Sequence, residues 1–380
     1  MLNTLVSVLL PVLFFGAVAA SVWYVDARLR RLLGYTSRRR TRAGCAVLLV
    51  ALFGATEATS TSANASLGWV YVAGGYVFTF YLLLLLALLA LHLLQLKWQL
   101  SGPRSAATVF AVALATTLWG ALQANSFVVR EQVIQVSGLK QRVAVMHVSD
   151  VHLGHHRGRE YLQQIVDATN QRTPDLVAIT GDLVDAHVAI TAEVLAPLSK
   201  LAAPAFFVVG NHETYTNAPL TGELVARQGI HVLHNERVES RGLQLVGLDY
   251  MNADEEAVDL HPSADPRTIK ATLQGLVLAP GLPSVLLHHS PVGVAYAEAA
   301  GFDLMLSGHT HGGQFFPSTL LAALIFPFND GLYRQGKLQV FVTTGAGTFL
   351  QRFRLGSRNE IVLLRLIPAG ATDALPGTVR

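Results

Sequence analysis

The sequence predicts an all-α membrane segment followed by one α/β domain, from three observations. Apolar runs long enough to cross a bilayer core, about 20 residues each, recur four times before residue 130. From Arg142 onward, short β-branched runs alternate with helical patterns, the signature of an α/β sheet. The charge balance changes at the same place. Residues 1–130 hold ten Lys/Arg against only Asp26 and Glu57, leaving residues 131–380 with 18 of the 28 basic and 23 of the 25 acidic side chains. Two parts are therefore expected, 1–130 and 131–380. The excess positive charge sits in the membrane part, which argues against nucleic acid as a partner of the acidic second part.

The expected spans are Leu2–Val25, Ala43–Ser60, Trp69–Leu96 and Ser105–Phe127. The first lacks the basic flank of a secretory signal and is followed by more spans, so it reads as a retained anchor. The Leu82–Leu86 run makes the third span dense, whereas Thr56, Glu57 and Thr59 thin the outer end of the second. Arg28, Arg30, Arg31, Arg38, Arg39, Arg40 and Arg42 lie between spans one and two. Lys97 and Arg104 lie between spans three and four. Both basic loops fall on one side, so the positive-inside rule puts everything after Phe127 outside the cytoplasm, in the cell (inner) membrane, provided span two inserts. His92 and Glu57 sit near span ends with no visible partner charge, which favours an anchor over a transport path. The single cysteine, Cys45, excludes an internal disulfide and a cysteine metal cluster.

In the second part, strands are expected at Val143–Val148, Leu176–Thr180, Phe206–Val209, Leu243–Leu248, Val285–Leu287, Leu304–Leu306, Leu338–Thr343 and Ile361–Leu366. Helical patterns cover Arg159–Asn170, Ile190–Leu201, Pro219–Arg227 and Arg267–Leu276. Five of the strands end in clusters of Asp, Asn or His, and loops beyond the carboxyl ends of strands converge on one crevice. Asp150 and His152 are two apart, as are His309 and His311, so each pair can face one point. Asp182, Asn211, His212 and His289 complete the set. Its nitrogen and oxygen donors, without thiolate, suit Mn, Fe or Zn, and they are too many for one tetrahedral ion.

In order, Asp150-Val-His152, Gly181-Asp182, Gly210-Asn211-His212-Glu213, His289-Ser-Pro and Gly308-His309-Thr-His311 resemble the five signature blocks of the calcineurin-like metallophosphoesterase superfamily. Gly312-Gly313-Gln314 and the later Gly345-x-Gly347, Arg354 and Glu360-Ile361 look like its membrane-tethered bacterial branch, similar to UDP-2,3-diacylglucosamine pyrophosphatase-type enzymes. A lone Gly-Asp carries no information; five blocks in this order do. The resemblance implies a four-layer α/β/β/α sandwich. It also implies two divalent metal ions, with Asp150, His152 and His311 on the first, Asn211, His289 and His309 on the second, and Asp182 bridging. His212 would be the charged or acidic group near the leaving oxygen. The activity implied is hydrolysis of a phosphomonoester or phosphodiester by metal-activated water.

Other residues have plainer expectations. His288 neighbours His289 and should face away from it, His147 belongs to the core or a sheet face, and His155 and His156 are loop histidines. Glu213 braces its loop, Asp249 is a turn residue, and Asp185 caps the approach to a helix. Phe315–Phe328 is an unusually apolar loop that either packs on the core or meets a bilayer or acyl chain. The expected substrate is a phosphorylated small molecule or a lipid, although an outside domain disfavours nucleotide-sugar lipids made in the cytoplasm. The competing class is a non-catalytic metal-binding interaction module, which would show eroded ligands; here none is missing.

Overall fold

The computed structural model describes residues 2–36, 39–60, 62–256 and 261–371, with side chains from Gly16 onward. Helices α1 (Leu2–Leu33), α2 (Arg39–Ser60), α3 (Gly68–Leu94) and α4 (Pro103–Gln123) come first. They form one compact unit, and Gln123–Phe349 forms the body of a second.

Within the first unit, three segments are long and apolar enough to cross a membrane among the described residues: Arg39–Ser60, Ala65–Leu94 and Pro103–Gln123. This is one fewer than expected. The first expected span lies on α1, but its side chains before Gly16 fall outside the described residues, as does Arg38. The thinning residues of span two are accommodated internally. Thr56 and Thr59 donate to Leu52 O at 2.8 Å and Ala55 O at 2.9 Å, which satisfies hydroxyls where no water reaches. Thr56 also packs where a Cβ on Gly74 of α3 would stand, 2.0 Å from its Oγ1, so the glycine permits the close approach of the two helices.

Among the described residues the second unit holds twelve strands: β1 (Phe127–Val136), β2 (Val143–Val148), β3 (Leu176–Thr180), β4 (Ala205–Val208), β5 (His231–Val232), β6 (Glu236–Ser240), β7 (Leu243–Gly247), β8 (Ser284–Leu287), β9 (Leu304–Ser307), β10 (Gly331–Gln335), β11 (Leu338–Val342) and β12 (Asn359–Pro368). Its helices are α5 (Arg159–Gln171), α6 (Ala192–Leu195), α7 (Asn211–Thr216), α8 (Ala218–Ala226), α9 (Ile269–Gln274), α10 (Val294–Ala299) and α11 (Ser318–Ile325). The strands form two six-stranded mixed sheets, in the orders β1-β12-β2-β3-β4-β5 and β10-β11-β9-β8-β7-β6.

Strand side chains alternate between faces with a period of two, and that alternation sorts the core. Val285 and Leu287, Leu304 and Leu306, Phe341, Val145, Val362 and Leu364 share one buried cluster between the sheets. Their neighbours Leu286, Met305 and Val340 instead pack with Leu273 of α9 and Val294 of α10. On the other outer face Met146 and Leu363 pack with Leu162 and Ile165 of α5 and Val225 of α8. Strands buried on both faces read as continuous apolar runs, which is why they were legible in the sequence.

Four expectations need correction. The fourth span stops at Gln123, and Phe127 opens β1, a strand paired in parallel with β12 from Phe127↔Asn359 to Val136↔Pro368. A boundary at residue 131 would cut that strand. The long helix expected over Ile190–Leu201 is only α6 and a following 3₁₀ turn containing Pro197, whose ring and missing N–H oppose continued α-helix. Asp185 is no cap, as shown below. The Phe315–Phe328 stretch contains a helix, α11, with Leu320, Leu321, Leu324 and Ile325 exposed, while Ala322 is buried and Phe328 packs on the core.

Candidate metal centre

The expected donors converge in two adjacent groups. In one, His152 Nε2 lies 3.0 Å from His311 Nε2, and Asp150 Oδ1 lies 3.2 Å from His311 Nε2. In the other, His309 Nδ1 lies 3.0 Å from Asn211 Oδ1 and 3.2 Å from His289 Nε2. Asp182 Oδ2 stands between them, 3.0 Å from His289 Nε2 and 3.8 Å from His152 Nε2. His212 Nε2 is 4.0 Å from the same oxygen. All eight residues therefore meet, each following the end of a strand, with Asn211 and His212 in the first turn of α7.

The local backbone is bent to do this. Asp150, His152, Asp182, His309 and His311 all have φ between 51° and 73°, the left-handed region that costs a non-glycine residue about 1–3 kcal/mol. Strain repeated at five converging donors requires strong surrounding support. Part of it is backbone packed directly on the ligands. A Cβ on Gly210 would lie 2.2 Å from Asp182 Oδ1, and one on Gly308 would lie 2.0 Å from Asp150 Oδ2. Backbone amides hold the carboxylates as well: His309 N donates to Asp150 at 3.0 Å and His212 N to Asp182 at 2.9 Å. Glu213 supplies the brace expected of it, accepting from the amides of Asp182 (2.9 Å), Val184 (2.9 Å) and Gly210 (2.7 Å).

The imidazoles are oriented from behind. His289 Nδ1 donates to Thr180 O at 2.7 Å, which leaves the Nε2 lone pair facing the site. His152 Nδ1 is 3.4 Å and His212 Nδ1 2.6 Å from the same Asp185 oxygen. Asp185 is thus a carboxylate that aims two site histidines, a role the sequence did not disclose. Arg354 is fully buried and donates to the carbonyls of His311 (2.7 Å), Thr344 (2.6 Å) and Gly347 (2.7 Å). Its Nη2 also approaches His311 Nδ1 at 3.2 Å.

Electrostatics follow the same geometry. Burial alone would raise Asp150, but the His311, His289 and His152 imidazoles hold its carboxyl well below the usual range. Against burial, His289 and His212 likewise lower Asp182, and His212 lowers Asp185. Burial opposes charge on His289 and His212 as well, yet Asp182 lifts His289 to about 9, and Asp182 with Asp185 lifts His212 to about 10. Burial pushes His309 well below its ordinary value and His311 down to about 4, Asp150 opposing the latter. No Lys or Arg pairs with Asp150 or Asp182 among the described residues. Two buried carboxylates, several imidazole nitrogens and an amide oxygen form a donor set that divalent cations fit.

The remaining expectations sort simply. His147 is buried, 2.8 Å from Thr180 Oγ1, with its pKa pushed to about 3 by burial. His288 faces away from the centre, bonds Ser290 O at 2.7 Å and stacks on Tyr250. Asp249 accepts from Asn235 at 2.7 Å and Arg267 at 3.1 Å. His155 and His156 are half-buried and join neither donor group. Two rings not singled out from the sequence border the centre. His261 stands edge-on to His309 at 5.3 Å, and Phe349 lies between 5.3 and 6.4 Å from His311, His152 and His212.

Mixed nitrogen and oxygen donors in two groups around one carboxylate, at the strand ends of a double sheet, fit the donor set of a two-metal hydrolytic site. Residues 143–313 match the calcineurin-like phosphoesterase family model, and the second unit carries a domain of that superfamily. The chain is 32% identical to an uncharacterized metallophosphoesterase of Helicobacter pylori, over 63% of this chain and 64% of that protein. It is 38% identical to a transmembrane protein with metallophosphoesterase domain of Danio rerio, over 56% and 51%. It is 29% identical to phosphodiesterase YaeI of Escherichia coli, over 59% and 82%. The match thus spans under two thirds of the first two proteins' length.

Proposed function

We propose that this chain is a membrane-anchored phosphoesterase with two divalent metal ions, acting on a phosphomonoester or phosphodiester. The observation that carries the proposal is the single Asp182 oxygen standing between two groups of donors. Asp150, His152 and His311 would hold one ion and Asn211, His289 and His309 the other, with Asp182 shared between them. When bound, the cations supply the positive charge that lowers the pKa of a water and offsets charge on phosphoryl oxygens. His212, its Nδ1 fixed by Asp185 and its Nε2 turned toward Asp182, donates a proton to the leaving oxygen. The site domain begins at β1, after α4. If α1 also spans, the basic loops place that domain outside the cytoplasm, at the cell (inner) membrane.

The test is hydrolysis of bis-p-nitrophenyl phosphate and p-nitrophenyl phosphate by the purified full chain supplied with Mn, Zn, Fe or Mg. A diester is the first substrate to try, since the Escherichia coli relative is named a phosphodiesterase. Activity must depend on the ion and vanish on chelation; a metal-free protein with unchanged hydrolysis would falsify the assignment. Asp185→Asn is expected to lower kcat about 10²-fold, the scale of a general-acid contribution. Its effect on KM should be smaller, because the asparagine oxygen can still accept from His152 Nδ1, which Asp185 meets at 3.4 Å. Equal kcat in the variant and wild type would remove His212 from the proton transfer.

We further propose that the phosphoester is presented at a lipid surface. The support is α11, whose Leu324 is 83% exposed, in a stretch from 315 to 328 without any charged residue. Phe326, directly after α11, lies 6.2 Å from His309. Exposed apolar area of this kind marks a docking face, and a chain bearing three candidate spans offers a bilayer to it. In Leu321→Gln/Leu324→Gln, hydrolysis of nanodisc-embedded phospholipid is expected to fall about tenfold, from lost apolar burial. Hydrolysis of the soluble diester should remain unchanged. Parallel loss of both would show a damaged site instead.

A further inference from the structure

We infer that the first unit holds a binding site for a phosphate-bearing anion, of the class of an anionic phospholipid headgroup. The site is a cavity of about 630 Å³ where α1, the end of α3 and the turn toward α4 meet. Arg28, Arg31, Lys97, Gln95, Trp98 and Ser101 line it, and no acidic residue does. The key residue is Arg28. It is only 6% exposed, its Nη2 donates to Gln95 Oε1, and its Nε is buried with no partner among the described residues.

An arginine serving only to mark the cytoplasmic face would extend its head into water. Arg28 instead has its head enclosed, and an enclosed guanidinium without an anion is unfavourable. Nearby charges show that this is not general to the segment. Asp26 Oδ2 takes Arg30 Nε at 3.0 Å and Arg42 Nε at 3.5 Å, whereas Arg28, Arg31 and Lys97 have no ion pair among the described residues. Gln95 Nε2 also donates to Leu100 O, tying the turn that walls the cavity. Two planar guanidinium forks and one ammonium suit the oxygens of a phosphate group. The half-exposed Trp98 at the rim suits the headgroup level of a bilayer, where basic pockets between membrane helices take anionic headgroups.

The test uses the full chain in neutral detergent, with affinities read by thermophoresis for dihexanoyl phosphatidylglycerol, dihexanoyl phosphatidylcholine and inorganic phosphate. Phosphatidylglycerol should bind at least about tenfold more tightly than phosphatidylcholine, the weight of one charge-assisted contact. Arg28→Gln, Arg31→Gln and Lys97→Gln should each weaken it, and Arg104→Gln, a basic residue outside the cavity, should not. Arg31 and Lys97 are exposed, so their variants report even if Arg28→Gln does not fold. Inorganic phosphate binding as tightly as phosphatidylglycerol would assign the site to a soluble phosphate, and phosphatidylglycerol alone to a lipid. Equal binding of the two lipids, or cavity variants indistinguishable from Arg104→Gln, would overturn the site.

Discussion

Asp182→Asn is expected to lower kcat/KM on a soluble diester by about 10³-fold or more while the protein stays folded. The substitution keeps an oxygen where His212 N donates at 2.9 Å, so the backbone lock on that loop survives. It removes the negative charge that both donor groups face, at 3.0 Å from His289 and 3.8 Å from His152. Loss of a shared anionic ligand forfeits several kcal/mol of charge stabilisation, and each 1.36 kcal/mol is about tenfold in rate. Elemental analysis should find fewer than two ions per chain, and the metal-free variant and metal-free wild type should melt at the same temperature, since excess metal stabilises only the chain that binds it. Turnover within a fewfold of wild type would remove Asp182 from the bridging role.

Arg354→Met should unfold the second unit about 10 °C earlier than wild type, on the scale of about 2–4 °C per kcal/mol for a domain of this size. The guanidinium is 0% exposed, and burial pulls its pKa down to about 10, with Arg157 adding to the effect. Its five donors reach three carbonyls together with Asn359 Oδ1 at 2.9 Å and Ser357 Oγ at 3.0 Å. A methionine fills the space and leaves those acceptors unsatisfied, at about 1–3 kcal/mol for each that finds no new partner. Arg354→Lys should recover little, because an ammonium cannot reproduce the fork. A melting temperature within two degrees of wild type for the Met variant would mean the carbonyls find other donors.

The donors of the site were readable because their chemistry restricts residue type and spacing at once. Asp150-x-His152 and His309-x-His311 place pairs on one side of a short loop, and the strands that deliver them are short, largely apolar runs. Residues that act through others left no comparable trace. Asp185 follows a strand and precedes helical sequence, which matches a capping aspartate equally well; only the folded chain brings it to His152 and His212. Strand β1 was hidden at its start, where Phe127–Val129 follows α4 after only Ala124, Asn125 and Ser126. Farther along, Glu131 and Arg130 look like solvent residues yet pair with Arg365 at 2.9 Å and Asp330 at 3.3 Å. Helix α11 escaped because Pro317 and Pro327 bracket a run too short and too uniformly apolar to show a helical period.

The pairing of β1 with β12 sets the order of assembly. β1 leaves the ribosome directly after the last membrane helix, but its parallel neighbour runs from Asn359 to Pro368. Nearly all of the intervening domain must be translated first, on the order of tens of seconds at common elongation rates. Through that interval Val129 and Ile134 belong to a nascent segment with an open edge, prone to pair with another chain. Completion of the sheet therefore waits for β12, and until then the edge of β1 is open to pairing with another chain.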